Sequence, residues 1–162
     1  MIILGIDPGY GRCGWGLIQV LGNRLSGLQY GVIETAAKTP FPLRLKQLHD
    51  ELGRIIVDHQ PEETAMEQLF FSKNAKTAID VGQARGVALL ACTQAGLPVA
   101  EYKPVEIKMA VTGYGMAAKP QIQQMVKVLL GLREAPHIDD AADALAVAIC
   151  HAHSRKMANL SK

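Results

Sequence analysis

Three things are scarce in this chain, and each scarcity closes off a class of protein. Cysteine is one: only Cys13, Cys92 and Cys150 occur in 162 residues. They stand far apart in apolar or small-residue surroundings, with no Cys-x-x-Cys. That argues against a disulfide framework or a zinc site and for reduced, buried thiols. Long hydrophobic runs are missing as well. Although 49% of the residues are apolar, no uninterrupted stretch approaches the roughly eighteen needed to span a bilayer, so no membrane association is expected. The chain opens without a basic leader and apolar stretch of secretory type, which predicts a cytoplasmic location. Charge of one sign is not in large excess either, at 17 Lys/Arg against 15 Asp/Glu. Length and apolar content suit one domain with a real core, expected over residues 1–155, with a short tail at 156–162.

What is present starts at the first turn. Ile-Ile-Leu-Gly-Ile-Asp-Pro-Gly, residues 2 to 9, reads as a short buried strand that stops at Pro-Gly with Asp7 at its tip. A carboxylate there needs a partner, because an unpaired buried charge is too costly. Residues 15–20 alternate like a second strand, and 25–35 read as a third, with Leu28, Tyr30 and Val32 on one side. The short first connection predicts an antiparallel hairpin. Residues 9–14 match Gly-x-Gly-x-x-Gly, but a dinucleotide fingerprint needs a helix to follow, and here a strand follows.

From Pro42 to His59, Leu45, Leu48, Leu52, Ile55 and Ile56 recur at helical spacing. Residues 64–69 read as a strand carrying a second acid, Glu67. Residues 75–96 form a long helix rich in Ala and Gly, suited to close approach of the sheet or of a second copy of the chain. A brief strand at 97–102, a short helix at 105–111 and a helix started by Pro120 follow. The last helix is predicted to open at Pro136 with a cluster of acids. Asp140 and Asp143, three apart, share one face, while Asp139 is turned about 100° away from Asp140. The helix dipole accounts for Asp139 and for Asp140. It accounts poorly for Asp143, which adjoins a run of buried-type residues.

Asp7, Glu67, Asp140 and Asp143 together make an all-carboxylate set. Oxygen-only ligands select Mg²⁺ or Mn²⁺, and four acids can hold two ions about 3.5–4 Å apart, an arrangement suited to phosphodiester cleavage. The expected division has Asp7 and a helix acid activating water, and Asp7 with Glu67 steadying the departing 3′ oxygen. Basic residues concentrate in the middle of the chain: residues 69–136 hold eight Lys/Arg against four Asp/Glu. They are Lys73, Lys76, Arg85, Lys103, Lys108, Lys119, Lys127 and Arg133, a spread that suits a polyanion but also ordinary solvated helix faces. Phe70 and Phe71 stand side by side before Lys73. Adjacent residues point different ways, so one can pack while the other stacks on an unpaired base, with Lys73 and Lys76 on phosphate. His137 could assist proton transfer or cap the last helix. Strand-strand-strand-helix-strand-helix-strand-helix, with a central acidic strand, predicts an α/β protein of ribonuclease H-like architecture, a five-stranded mixed sheet flanked by helices.

The quoted motifs resemble one known family in its own order. Ile-Asp-Pro-Gly at the start, Glu-Gln-x-Phe-x-x-x-Asn at 67–74, Gly-Gln-Ala-Arg-Gly-Val-Ala at 82–88 and Asp-Ala-Ala-Asp-Ala-Leu-Ala at 140–146 look like RuvC, the bacterial Holliday-junction resolvases. The resemblance runs from residue 2 to about 153. It implies a homodimer that nicks opposing strands of a four-way DNA junction with Mg²⁺, Mn²⁺ being a possible substitute, in partnership with RuvA and RuvB. The matching catalytic acids are Asp7, Glu67, Asp140 and Asp143. Phe70 matches the aromatic placed at the junction, and Lys108 and Lys119 match basic residues of DNA handling. Two rivals are a sugar-kinase or actin-like ATPase, for which 162 residues leave no second domain, and an inactive junction-binding module, which would have no need of all four acids.

Overall fold

The computed structural model describes residues 1–68 and 75–160, with backbone alone at 75, 76 and 156–160. Five strands form one sheet: β1 (Ile2–Asp7), β2 (Arg12–Leu21), β3 (Arg24–Glu34), β4 (Glu63–Glu67) and β5 (Val99–Tyr102), in the order β3-β2-β1-β4-β5. Strands β1 to β3 are joined by short turns and pair antiparallel. The pairs β1–β4 and β4–β5 are parallel, so each needs a crossover helix. These are α1 (Phe41–His59) and α2 (Ala75–Gln94). Then come α3 (Pro104–Thr112), α4 (Lys119–Leu130) and α5 (Asp139–Leu160).

Side-chain alternation along the strands splits the core in two. Leu4, Ile6, Cys13, Leu17 and Met66 pack with Leu48, Leu52 and Ile56 of α1 and with Ala84, Ala88 and Ala91 of α2. Ile3, Ile18 and Ala65 face the other way, onto α5 and beyond it α3 and α4. From Ala141 to Ala152, α5 is almost wholly enclosed between sheet and outer helices. Its alanines are the reason it can lie so deep, since a longer side chain would hold its backbone off the strands. Two strand glycines complete the fit. A Cβ at Gly5 would lie 1.9 Å from the Ala144 carbonyl oxygen, and one at Gly14 would lie 1.9 Å from that of Asp140.

The three thiols are buried and free. Burial pushes Cys13 up to about 12 and Cys92 and Cys150 up to about 11, which leaves them as unreactive packing groups.

Three local readings change. Strand β2 begins at Arg12, not Trp15, because its ladder with β1 runs out to Asp7 opposite Gly14. Leu17 opposes Gln29 while Ile18 opposes Gly27, so Leu28 is the extra residue of a bulge that breaks the expected Leu28–Tyr30–Val32 stripe. Leu28 and Tyr30 are exposed, and it is Ile33 that enters the core. Helix α5 starts at Asp139 instead of Pro136, with the Ile138 carbonyl accepting from Ala142 N–H. It then continues to Leu160.

Candidate active site

The same alternation decides which acids can meet. Asp7 shares its strand face with Ile3 and Gly5, and Glu67 shares its face with Ala65, so both point to the α5 side of the sheet. Strands β1 and β4 are parallel neighbours with Ile6 beside Met66, which brings Asp7 and Glu67 out at the same sheet end. The start of α5 arrives there because Gly14, the residue opposite Asp7, lets the Asp140 backbone rest directly on the strand. Asp143 lies one turn further along α5. It and Glu67 line a cleft of about 390 Å³, whose other wall is built from Pro104, Ile107 and Lys108 of α3 and Lys119 of α4.

These carboxylates feel one another. Burial, then the negative charge of Asp143, Glu67 and Asp140 in that order, pushes Asp7 up to about 7. Burial and Asp143 raise Glu67, against the pull of Lys108 and Lys119. Asp143 is raised chiefly by burial, with Lys119 opposing. Among the described residues, neither the Asp7 nor the Glu67 carboxylate has a hydrogen bond or ion pair.

The chain's own cations sit against the helix acids. Lys119 Nζ is 3.3 Å from an Asp139 oxygen and 3.5 Å from one of Asp143. Arg12 Nη1 is 3.8 Å from Asp140. Among the described residues no three His, Cys, Asp or Glu converge closely enough to hold an ion as they stand. The chemistry of the set nevertheless fits a hard divalent cation. All its donors are carboxylate oxygens, and Asp7, buried beside Asp143, Glu67 and Asp140, is pushed up to about 7 with Lys119 opposing.

The family model described as "Crossover junction endodeoxyribonuclease RuvC" matches residues 3–151. The curated protein of that name from Desulfitobacterium hafniense is 57% identical over 159 residues, covering 98% of this chain and 96% of its own. The chain belongs to the RuvC family. Thermus thermophilus RuvC, solved in complex with a Holliday junction substrate, superposes with a TM-score of 0.93 at 36% identity, over 98% of this chain and 96% of that one. The yeast mitochondrial Holliday junction resolvase shares the fold alone, with a TM-score of 0.64 at 12% identity over 99% of this chain and 86% of that one. The five-stranded mixed sheet with flanking helices is thus the ribonuclease H-like sheet of the RuvC resolvases.

Within this RuvC fold, Asp7, Glu67, Asp140 and Asp143 are gathered at one end of the sheet, with Lys108 and Lys119 on the cleft wall. Arg85 is differently placed. Its side chain is only 15% exposed and its guanidinium is 2.5 Å from Glu101 on β5, a contact that ties α2 to the sheet edge. Phe70, Phe71 and Lys73 lie outside the described residues, as does the side chain of Lys76. His137 stands ahead of α5, not on it, 3.3 Å from Glu134.

Three contributors escaped the sequence reading. Asp139 accepts from Gln123 Nε2 at 2.8 Å as well as from Lys119, so it steadies the lysine in addition to favouring the helix start. Arg12 reaches Asp140 from the hairpin, which the register alone could have suggested. Gly14 sets the height of α5, and nothing in its local sequence separates it from a turn glycine.

Proposed function

We propose that this chain is a structure-selective endonuclease that resolves four-way DNA junctions in recombination and repair by nicking two opposing strands. The observation that supports the reading is that Asp143, Glu67 and Asp140 all stand close enough to the buried Asp7 to raise it, while Glu67 and Asp143 line the cleft beside Lys108 and Lys119. Those four acids would hold Mg²⁺, two ions per site by the count of ligands, with Mn²⁺ able to substitute. The bound metal supplies an activated water and stabilises developing charge at the scissile phosphate.

The chain's own residues do the rest. Lys108 and Lys119 draw the phosphate into the cleft by charge. Lys119, against Asp139 and Asp143, stands on the cleft wall where it would meet a phosphate. The low-dielectric surroundings that raise Asp7 also strengthen every charge interaction made there. Phe70, Phe71, Lys73 and Lys76 follow directly on Glu67 in the chain and are proposed to meet the DNA strands. Arg85 joins them only if Glu101 releases it.

Paired nicks require two sites related by a two-fold axis, hence a homodimer. The outer face of α2 supports this: Ile79 and Leu90 are exposed, and between them Gly82 and Gly86 have open space where a Cβ would stand. Partnership with RuvA and RuvB, a cytoplasmic location and a single domain through residue 155 complete the proposal. Among the described residues no helix is long and apolar enough to cross a membrane. The test is cleavage of a synthetic four-way junction in Mg²⁺ beside an Asp7→Asn protein. Paired opposing nicks from the unmodified chain alone, with both proteins binding, are expected. A protein that binds junctions and never cuts in Mg²⁺ or Mn²⁺ is the inactive binding module instead.

A further inference from the structure

The turn between α3 and α4 displays two large apolar side chains, Tyr114 at 58% and Met116 at 78% exposure. It is not a loose turn. Gly113 N–H donates to the Met109 carbonyl at 2.9 Å, Ala117 N–H to the Tyr114 carbonyl at 3.1 Å, and Tyr114 N–H to Thr112 Oγ1 at 3.1 Å. Thr112 Oγ1 in turn donates to the Lys108 carbonyl at 2.8 Å. Gly115 presses against α3 so closely that a Cβ there would lie 2.8 Å from Val105 Cγ2. The backbone is therefore held in place, and Tyr114 and Met116 stay in solvent at a cost in unburied apolar area.

Their position says what covers them. Ala117 and Ala118, the next two residues, line the catalytic cleft, and the turn runs between its two lysines, Lys108 and Lys119. The turn therefore stands at the edge of the cleft, where a nucleic-acid strand lying in it would run beside Tyr114 and Met116. Apolar and aromatic side chains set among lysines are the pattern that grips nucleic acid by stacking and wedging on bases while the cations hold phosphates. We infer that Tyr114 and Met116 form a DNA-contacting rim that seats on the sugar and base faces of the strand entering the cleft. The inference rests on the nuclease reading proposed above.

Tyr114→Ala with Met116→Ala tests it, in the full chain and with an immobile four-way junction. Both residues are exposed, so melting temperature is expected to hold. Binding measured without divalent metal across a salt series should weaken about tenfold, within the range of lost base–aromatic contacts. The slope of affinity against salt should not change, because no phosphate contact is removed. Lys108→Ala, run alongside, should lower that slope. Junction affinity within twofold of the unmodified protein would overturn the rim and hand the patch to a protein partner. A reduced salt slope in the double variant would also overturn it, by showing that the lysines had been displaced. Failure of the unmodified protein to bind the junction would defeat the nuclease reading itself.

Discussion

Strand β4 and helix α5 run together from one end of the sheet to the other, and their two ends treat the same kinds of side chain in opposite ways. Glu63 and Glu67 lie four residues apart on one strand and face the same helix. At the far end Glu63 is satisfied: Arg155 Nε donates to it at 2.8 Å, and His151 Nε2 donates at 2.8 Å. The other ring nitrogen of His151 accepts from the Tyr102 hydroxyl at 2.7 Å. At the near end Glu67 and Asp7 have no such partner among the described residues, and both are raised, Asp7 to about 7. One end is a finished structural network. The other is left electrostatically incomplete, which is what a site that must accept a cation requires.

That contrast can be broken most severely at Asp7. Asp7→Asn should reduce junction cleavage on the order of a thousandfold while leaving binding intact, read by cleavage kinetics beside a mobility-shift assay. Gly14→Ala comes next. A methyl group 1.9 Å from the Asp140 carbonyl forces the start of α5 outward, and displacement near 1 Å costs about a hundredfold in rate. The overpacking should also lower stability by roughly 1–3 kcal/mol, so the decisive measurement is divalent-ion affinity by calorimetry at a temperature where the variant remains folded. Unchanged ion affinity would remove Gly14 from the site's construction.

At the finished end the effect moves from activity to stability. Glu63→Leu leaves His151 and Arg155 without their acceptor and should cost about 1–3 kcal/mol in denaturant unfolding, with cleavage rate preserved. A large loss of rate in that variant would mean that the two ends are coupled.

A pH series sharpens the comparison further. Asp7 keeps its proton to about pH 7 in the metal-free fold but loses it near the ordinary 3.8 when unfolded. Between those values the folded state binds the extra proton. Stability is therefore greatest at the acid end of the window and falls as pH rises towards 7, then levels off. Glu67 and Asp143, both raised, add in the same direction. Thermal melts in chelator from pH 5 to 8 should show this decline, and Asp7→Asn should flatten it. The smallest change is expected from Asp139→Ala. It frees an exposed lysine from an exposed acid, a contact worth well under about 1 kcal/mol, and should alter the rate a few-fold, in the apparent KM for junction more than in kcat.

The elements were legible from the sequence because their signals are local. Apolar alternation in residues 2–7, helical spacing from Leu45 to Ile56, and the Pro and Gly punctuation each act over a few residues. Asp7 and Asp143 stood out as candidates for a related reason: a carboxylate at a strand tip or beside a buried alanine stripe contradicts its own surroundings, whereas Glu67 and Asp140 drew their weight only from those two. The bulge at Leu28 and the start of α5 were not legible, since each depends on what the opposite chain or the capping carbonyl allows.

Composition and pattern by themselves determined an α/β chain with unbridged thiols and with Asp7 and Asp143 as acids out of keeping with their surroundings. Tertiary structure alone decided which acids are left unpaired and which are not. Glu63 and Glu67 are the same residue type on the same strand face, and they differ only because His151, 88 positions away, and Arg155, 92 positions away, reach one end. It also decided that Arg85 is held by Glu101 and Lys119 by Asp139 and Asp143, and that Gly14 sets the seating of α5. Electrostatic balance is a sum over neighbours in space, and the chain order does not contain that sum until the sheet and its helices have closed around it.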